Sequence, residues 1–310
     1  MKERKISFLI AAHNEEKIID KTLANLLNLP YKNYEVILGL DGCTDKTEEI
    51  VKKFVNKSKK FKYYKLAIRE GKPAVVNEII KKATGDIVII NDADWIFSAK
   101  DEKSLKKYLS LLDDPKIGGI CENLPLEWNS LSEKNDLGYK MVAWSSYLWY
   151  EYQKKKFAKK KHDYLIVKEP VLFMTNIFRK NLYKDNSSLG DDFERTQDIM
   201  DAGYLIAIPL GKDDPKMKPV YDKIPIRELF NQKVRTAMAR DQINQGRKKK
   251  INIKNYYLPT NFYIFLESWK KGMNIGLLIS GWIAITAIAT LWLSLKKFDT
   301  KKGWTMRVKR

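Results

Sequence analysis

The chain has 310 residues, enough for one large globular domain with an appendage or for two modest domains. Its composition, 44% hydrophobic and 12% aromatic, supplies a sizeable core and excludes a wholly disordered chain. The formal net charge of +20 is unevenly spread, because residues 245–310 carry more than half of the excess of Lys and Arg. A basic segment of this kind suits either nucleic acid or an anionic membrane surface. The two cysteines, Cys43 and Cys121, fit no metal-binding spacing, and the start of the chain carries no secretory signal, so a reducing cytosolic setting is expected.

The first 121 residues alternate between strand and helix patterns. Runs of apolar, often β-branched residues predict strands, and apolar residues at helical spacing predict helices between them. The predicted strands are 6–12, 34–40, 63–68, 86–91 and 117–121, and the predicted helices are 15–27, 46–56, 74–82 and 103–112. Strands separated by helices of this length imply an α/β fold with a mainly parallel sheet and right-handed crossovers.

Polar side chains collect just after the predicted strands or just before the predicted helices. The clearest pair is Asp92 and Asp94, because an i, i+2 spacing on an extended chain puts both carboxylates on one face. Ligands bind at the carboxyl ends of strands in open α/β sheets, and carboxylates there suit Mg²⁺ or Mn²⁺ shared with substrate phosphates. The alternative is a polar strand end that runs into a turn. No phosphate-binding loop and no Gly-x-Gly-x-x-Gly pattern follows the first strand, which removes the main support for those nucleotide-binding classes.

After Asn123 the regular alternation fades. Residues 144–152 are rich in aromatic side chains, and residues 154–161 hold six lysines in eight positions. Two interpretations of this lysine run stay open: a solvated helix face, or a surface for lipid headgroups or an anionic, lipid-linked acceptor. Helices are predicted over 191–202 and 226–245, and the mixture of aromatic and polar residues over 256–266 is typical of a membrane interface.

The segment Met273–Leu295 contains 23 residues without a charge, which is long enough to cross a bilayer as a helix. Trp269 and Trp292 lie near its two ends, as aromatic residues do at membrane boundaries, and lysine pairs bracket it on both sides. The alternative is a buried core helix. Because the basic excess surrounds this segment, we predict a partner in membrane lipids and none in nucleic acid. Lysines on both flanks give no firm orientation by the positive-inside rule.

Three blocks of the first half are similar to the glycosyltransferases of family 2, which have the GT-A fold. They are ISFLIAAHNEEKIIDKTLANLL, VILGLDGCTDKTEEIVKKF and REGKPAVVNEIIKKATGDIVIINDAD, in the same order and with matching flanking strands over about residues 5–97. Residues 190–194 and 232–235 resemble that family's Glu-Asp base motif and its Gln-x-x-Arg-Trp motif. The likeness covers about 240 residues and implies a GT-A, Rossmann-like mixed sheet that is mainly parallel and flanked by helices.

The same resemblance implies a division of the chain. A GT-A catalytic domain would occupy residues 1–225, with a nucleotide-sugar half over about 1–122 and an acceptor half over about 123–225. The parts that follow are a Gln-x-x-Arg helix with a membrane-interface segment over 226–272, the transmembrane helix over 273–295 and a basic tail over 296–310.

The resemblance also implies roles for residues at the nucleotide. Asp41 would accept a hydrogen bond from the nucleobase, and Ala12, Asn14 and Glu15 would line the nucleotide pocket. Many relatives carry two acids before the glycine, whereas Leu40 takes the first of those positions here. Asp41 would therefore act alone.

A second set of implied roles concerns the diphosphate and the metal. Lys72 would approach the pyrophosphate as a point charge, the alternative being a solvated loop lysine. Asp92 would hold the sugar or ribose, and Asp94, with Asp92 beside it, would bind the Mg²⁺ or Mn²⁺ that bridges the diphosphate.

The second half would supply a base and further phosphate contacts. By its place in the motif, Asp192 resembles the base that removes a proton from the acceptor hydroxyl, and Asp191 stands where relatives often carry Glu. The alternative is that both acids merely cap the helix that follows. Gln232 and Arg235 would contact the acceptor or the donor phosphates. Thr236 replaces the expected Trp, which weakens the case for a long-polymer synthase.

We therefore expect an inverting glycosyltransferase that moves a sugar from a UDP- or GDP-linked donor to a hydroxyl or phosphate acceptor, which would be lipid-linked or a glycan. Its location would be the cell membrane, with a single C-terminal transmembrane helix and a cytoplasmic catalytic domain. Two alternatives stay open. One is a sugar-phosphate nucleotidyltransferase, which would release pyrophosphate. The other is a catalytically silent, membrane-associated binding protein.

Overall fold

A computed structural model describes residues 3–121, 136–169, 174–185, 190–243 and 253–295. The chain divides into two compact units. The first unit comprises Met1–Glu127, Ala158–Ser187 and Asp191–Val220, and the second comprises Trp128–Phe157, Ser188–Gly190 and Tyr221–Arg310. Each unit has its own architecture.

The first unit is an α/β assembly. Its strands are β1 Ile6–Ala12, β2 Tyr34–Asp41, β3 Phe61–Leu66, β4 Ile87–Ile90, β5 Trp95–Ser98, β6 Ile117–Ile120, β7 Ala158–Lys161, β8 Tyr164–Val167, β9 Ile177–Arg179, β10 Leu205–Pro209 and β11 Lys216–Pro219. Its helices are α1 Ile19–Leu27, α2 Thr47–Lys57, α3 Lys72–Ile80, α4 Glu102–Leu109 and, after α5 of the second unit, α6 Asp191–Asp201, with short 3₁₀ turns at Ser110–Asp113 and Lys180–Leu182.

One sheet organises this unit. Within the described residues its nine strands lie in the order β3-β2-β1-β4-β9-β6-β10-β8-β7. The neighbours β1 to β4 are all parallel, and β9 and β8 run against the strands beside them. Strands β1 and β2 are buried along almost their whole length, as central parallel strands covered on both faces are. The predicted α/β class and mainly parallel sheet are confirmed.

Element boundaries differ from the predictions where local chemistry changes the backbone. Helix α1 begins at Ile19 because residues 15–18 form a turn that closes onto the Glu15 carbonyl. Helix α3 begins at Lys72, directly after Gly71, whose φ of +96° a side chain would disfavour. The lysine run is not one helix face: α5 ends at Phe157, and Ala158–Lys161 pairs with β8 as a hairpin.

The second unit consists of helices. They are α5 Leu137–Phe157, α7 Ile226–Ile243, α8 Ile253–Lys270 and α9 Met273–Leu295. Helices α5, α8 and α9 meet around Leu148, Ile264 and Ile279, and α7 packs on α9 where Val234 and Met238 contact Ala289. Among the described residues, α9 is the one helix long and apolar enough to cross a membrane by length and composition, and its bounds are those predicted. The predicted domain boundaries stay a prediction, and the basic tail lies outside the described residues.

Candidate active site

The loop after β1 and the loop after β2, both at the carboxyl edge of the sheet, are joined by hydrogen bonds. Asn14 has a left-handed backbone (φ +55°), and its side chain accepts from the Thr44 amide at 2.8 Å. The Glu15 amide donates to Thr47 Oγ1 at 2.8 Å. Ala12, at the end of β1, accepts from Cys43 Sγ at 3.4 Å, and burial raises the pKa of that thiol, which stays protonated at neutral pH. The predicted pocket residues Ala12, Asn14 and Glu15 therefore lie close together, at the end of β1 and in the loop that follows it.

Asp41 ends β2 and is 2% exposed. Its two carboxylate oxygens accept from the backbone amides of Glu70 at 2.7 Å and Gly71 at 2.9 Å, and its carbonyl accepts from His13 Nδ1. The residue thereby fixes the loop that leads into α3. Each carboxylate oxygen can accept more than one hydrogen bond, so these two contacts do not exhaust the acceptor capacity of Asp41. The nucleobase contact stays a prediction.

Lys72 and Asp92 come together across the sheet edge. Lys72 Nζ lies 2.7 Å from Asp92 Oδ1, and Asp92 remains about half exposed. Because an exposed pair of this kind contributes at most about 1 kcal/mol, its main consequence is to hold the lysine at the acidic turn. Lys72 begins helix α3 and is about one-fifth exposed, and its contact with the pyrophosphate stays a prediction.

Hydrogen bonds from several elements hold the backbone of the turn that carries Asp92 and Asp94. Thr22 Oγ1, on α1, donates to the Ala93 carbonyl at 2.7 Å, and the Val220 amide donates to the Asp94 carbonyl at 2.9 Å. Asn91 Nδ2 donates to the carbonyls of both Asp92 and Trp95 at 2.9 Å. The two carboxylates thus project from a backbone that is fixed before any ligand binds, which is the property that a metal or diphosphate site needs.

Sequence analysis did not identify Thr22, Asn91 or Val220 as part of this site. The sequence does contain a hint for Thr22, because it is a polar residue on the otherwise apolar face of the predicted first helix. In the structure it is fully buried. The hint for Asn91 is weaker: it is an amide residue between an apolar strand and two acids. In the structure its side chain is fully buried. The sequence contains no hint for Val220, since only its backbone amide acts.

Asp94 is 4% exposed, and the residues at the turn fit a divalent cation that is shared with a substrate. Within the part of the chain that the structure describes, no group of three or more His, Cys, Asp or Glu side chains forms a closed metal cage. Mg²⁺ characteristically takes one or two carboxylates and completes its shell with phosphate oxygens and water. The two carboxylates of this turn, of which Asp92 is about half exposed, match that preference.

Asp191, at the start of α6, forms a buried ion pair. Its Oδ2 lies 2.7 Å from Arg195 Nη2, and both side chains are buried. Arg195 Nη1 also donates to the Thr175 carbonyl and to Asn176 Oδ1, each at 3.0 Å. This contact holds the Asp191 carboxylate at the start of the helix, and its catalytic role stays a prediction. Asp192 is part of the same helix, but its side chain lies outside the described residues.

Gln232 and Arg235 lie on α7 in the second unit, whereas the other predicted site residues belong to the first. The Gln232 carbonyl accepts from Thr236 Oγ1 at 2.9 Å. Gln232 Oε1 is buried and has no hydrogen-bond partner among the described residues. Their contact with phosphates stays a prediction.

Comparison with known proteins connects this geometry to a family. A model of the family described as "Glycosyl transferase family 2" matches residues 7–167, just over half of the chain. The poly-beta-1,6-N-acetyl-D-glucosamine synthase of Staphylococcus epidermidis is 35% identical over 118 residues, which are 38% of this chain and 28% of that protein. The enzyme of the same name from Staphylococcus aureus (strain COL) is 34% identical over 120 residues, with the same two shares. The chain thus spans little more than a quarter of the length of these curated relatives.

A solved structure covers more of the chain. The mannosyltransferase PcManGT from Pyrobaculum calidifontis, in complex with GDP-Man and Mn²⁺, superposes with a TM-score of 0.55 at 18% sequence identity. The superposition covers 98% of this chain and 84% of that one. At this identity the likeness shows the fold, which is GT-A, as the sequence predicted.

Proposed function

The chain belongs to glycosyl transferase family 2, and we propose that it moves a sugar from a nucleotide-diphosphate sugar to a hydroxyl or phosphate acceptor by a single inverting displacement. The observation that carries the proposal is the fixed turn at Asp92 and Asp94 with Lys72 held beside it. This arrangement offers two carboxylates and one ammonium group at the sheet edge where nucleotides bind. It suits a donor whose diphosphate becomes the leaving group.

Asp94, with Asp92, is the proposed holder of Mg²⁺ or Mn²⁺. The Mn²⁺ in the GT-A neighbour supports the choice of a divalent cation. When bound, such an ion stabilises the negative charge that develops on the departing nucleoside diphosphate. Lys72 would add a positive charge on the same phosphates, because its partner Asp92 keeps it at the turn.

Asp192 is the proposed base that accepts the proton of the acceptor hydroxyl. The ion pair of Asp191 with Arg195 supports this assignment, since it fixes the first turn of α6, on which Asp192 lies. Ala12, Asn14, Glu15 and Asp41 would bind the nucleotide. Gln232 and Arg235, on α7, would contact the acceptor or the donor phosphates.

The acceptor is proposed to be lipid-linked or a glycan, and the chain to be attached to the cytoplasmic face of the cell membrane. Helix α9 supports the attachment, and a single crossing by this helix is what the sequence predicts. The glycan synthases with similar sequences support a glycan acceptor, and the neighbour with GDP-Man supports a GDP-linked donor. A UDP-linked donor is the other donor that the family resemblance implies. Membrane lipids are the proposed partner in place of nucleic acid, because the basic excess surrounds α9.

A donor panel tests this proposal. Purified protein is incubated with UDP- and GDP-linked sugars, Mn²⁺ and either lipid-phosphate or oligosaccharide acceptors, and released nucleoside diphosphate is measured. Acceptor-dependent release from one donor is the expected result. A parallel reaction supplies UTP or GTP with a sugar 1-phosphate, and release of pyrophosphate from it would make the chain a nucleotidyltransferase instead. Failure to bind any donor in the presence of Mn²⁺ would make it a silent binding protein.

A further inference from the structure

Helix α8 exposes large apolar side chains and buries hydroxyl groups, unlike an amphipathic helix of a water-soluble protein. Leu258 and Phe262 are 70% and 65% exposed, and the exposed apolar stripe continues along the helix through Phe265, Leu266 and Trp269. On the opposite side Thr260, Ile264 and Ser268 are fully buried, and two of these three carry a hydroxyl group. A soluble amphipathic helix buries its apolar face and exposes its polar one. Exposed rows of large apolar side chains mark a surface that meets a partner or a membrane.

Helix α9 shares this pattern and forms a hairpin with α8. Its exposed large side chains also recur along the whole helix, and they are Met273, Leu277, Ile288, Leu291 and Leu295. The connection is short, with Gly272 at φ +125°, and Trp269 packs where Gly276 leaves no Cβ. Further along, Ile264 of α8 packs with Ile279 of α9. Since the two helices pack side by side, lipid that covers the outer stripe of one also reaches the other.

The inner side of α9 faces a polar helix. Lys233 Nζ, on α7, lies 4.4 Å from the centre of the Trp282 ring, and Trp282 is near the middle of the 23-residue helix. Nearby, Phe230 packs on Trp292 with ring centres 5.7 Å apart, so α7 follows α9 for several turns. If α9 crossed a bilayer in this packing, a lysine ammonium would lie near the centre of the hydrocarbon. That placement is strongly disfavoured.

We propose that α8 and α9 insert together as a hairpin into one leaflet of the membrane, with their outer apolar stripes among the acyl chains and the polar α7 on the water side. The proposal rests on the membrane attachment in the proposed function and replaces the single crossing. Lys271, exposed at the turn, suits an anionic headgroup layer, and the exposed Lys270 beside it pairs with Glu267 Oε1 at 2.7 Å. The occupant of this surface is therefore an anionic bilayer. In this arrangement the turn and the C-terminal tail stay on the side of the membrane that holds the first unit.

Cysteine accessibility tests the topology without any need for turnover. Full-length protein is added from outside to preformed vesicles of anionic and zwitterionic lipids, and a membrane-impermeant maleimide is applied before and after detergent. Lys271→Cys reports the turn, Lys302→Cys the tail, and Lys53→Cys, which is exposed on α2, the first unit. The parent chain, with Cys43 and Cys121 only, sets the background. We expect full labelling of all three variants before detergent.

Each other outcome overturns the hairpin in one leaflet. A tail that is protected until detergent is added means a single crossing by α9. A turn that is protected means that both helices span. Failure of the parent chain to float with the vesicles removes membrane attachment itself, whereas inactivity in the donor panel leaves this result untouched.

A second measurement tests α8 alone. A fluorophore attached at Phe262→Cys should be quenched at least about twofold by lipids that carry a spin label on the acyl chain. The matched control is Leu210→Cys, an exposed apolar position in the first unit, which should show no quenching. Equal quenching at the two positions, or none at residue 262, contradicts the insertion of α8.

Discussion

At the residue scale, the nearly complete burial of Asp94 decides what a substitution there removes. Asp94→Asn keeps the shape of the side chain and removes its charge, so we expect transfer to fall by roughly 10²-fold or more, because the charge on the leaving diphosphate loses its counter-ion. Binding of Mn²⁺ in the presence of UDP or GDP, followed by electron paramagnetic resonance, should weaken in parallel. Asp213→Asn, in an exposed pair with Lys100, is the control and should change neither quantity. Unchanged Mn²⁺ binding in Asp94→Asn would remove the metal assignment.

The adjacent acids of α6 allow a matched comparison. Asp192→Asn should bind donor normally and lose about 10²- to 10⁴-fold in turnover, the range for a general base. Asp191→Asn should instead lower the free energy of unfolding by about 3 kcal/mol, because the buried Arg195 loses its counter-charge. Donor titrations and thermal unfolding of the two variants separate the effects. Normal turnover in Asp192→Asn would assign the base to another residue.

At the scale of elements, α1 supports the acidic turn through one hydroxyl. Thr22→Val keeps the volume of the side chain but leaves the Ala93 carbonyl without its donor, which costs about 1 to 2 kcal/mol. We expect the affinity for Mn²⁺ with UDP or GDP to fall about threefold to tenfold, in proportion to the backbone order that is lost. Isothermal titration measures this change.

The control for Thr22 is Thr286→Val in α9, where a buried threonine donates only to the Trp282 carbonyl of its own helix. Its effect on nucleotide affinity should be negligible. If Thr22→Val lowers stability and leaves affinity unchanged, the hydroxyl supports the fold and does not position the acids.

At the scale of the whole molecule, the sequence predicted the parts whose signals are local. Strands β1, β2 and β4 are apolar runs that end in polar residues, and the acids of the site follow them directly. The hairpin of β7 and β8 was not predicted, because a run of lysines has no strand pattern of its own. The support of the acidic turn was missed for a different reason: Thr22 and Ala93 are 71 residues apart, and only the folded sheet brings them together.

The helices that we propose to face the membrane were likewise only partly predictable from the sequence. The hydrophobic run of α9 is visible in the sequence, and its bounds were predicted correctly. The pattern of exposed apolar and buried hydroxyl side chains on α8 was not visible, because Thr260 and Ser268 reveal their burial only once α5 and α9 are in place. The same is true of Lys233, whose position over Trp282 depends on how α7 packs.

The stability of the first unit should depend on pH through one carboxylate at the end of the sheet opposite the site. Glu35, at the start of β2, accepts from Ser7 Oγ and Thr84 Oγ1 at 2.8 and 2.7 Å, and Lys62 Nζ lies 3.0 Å away. Burial alone would raise its pKa, but these bonds outweigh burial and lower it to about 2 from the ordinary 4.5. A carboxylate whose pKa is lowered on folding stabilises the fold above the unfolded pKa, and that stability is lost as the pH falls toward the folded pKa.

We therefore expect Glu35→Gln to lower the free energy of unfolding by roughly 3 kcal/mol at pH 7, since each unit of pKa shift corresponds to about 1.4 kcal/mol. The difference from the parent chain should shrink as the pH falls from 4.5 toward 2, where the parent carboxylate also becomes neutral. Denaturant unfolding at a series of pH values measures both effects. Glu48→Gln is the control, because Glu48 also pairs with lysines but lies on the surface, where solvent screens the charge. A constant difference between parent and Glu35→Gln across this range would show that lost packing, and not the titration of Glu35, accounts for the destabilisation.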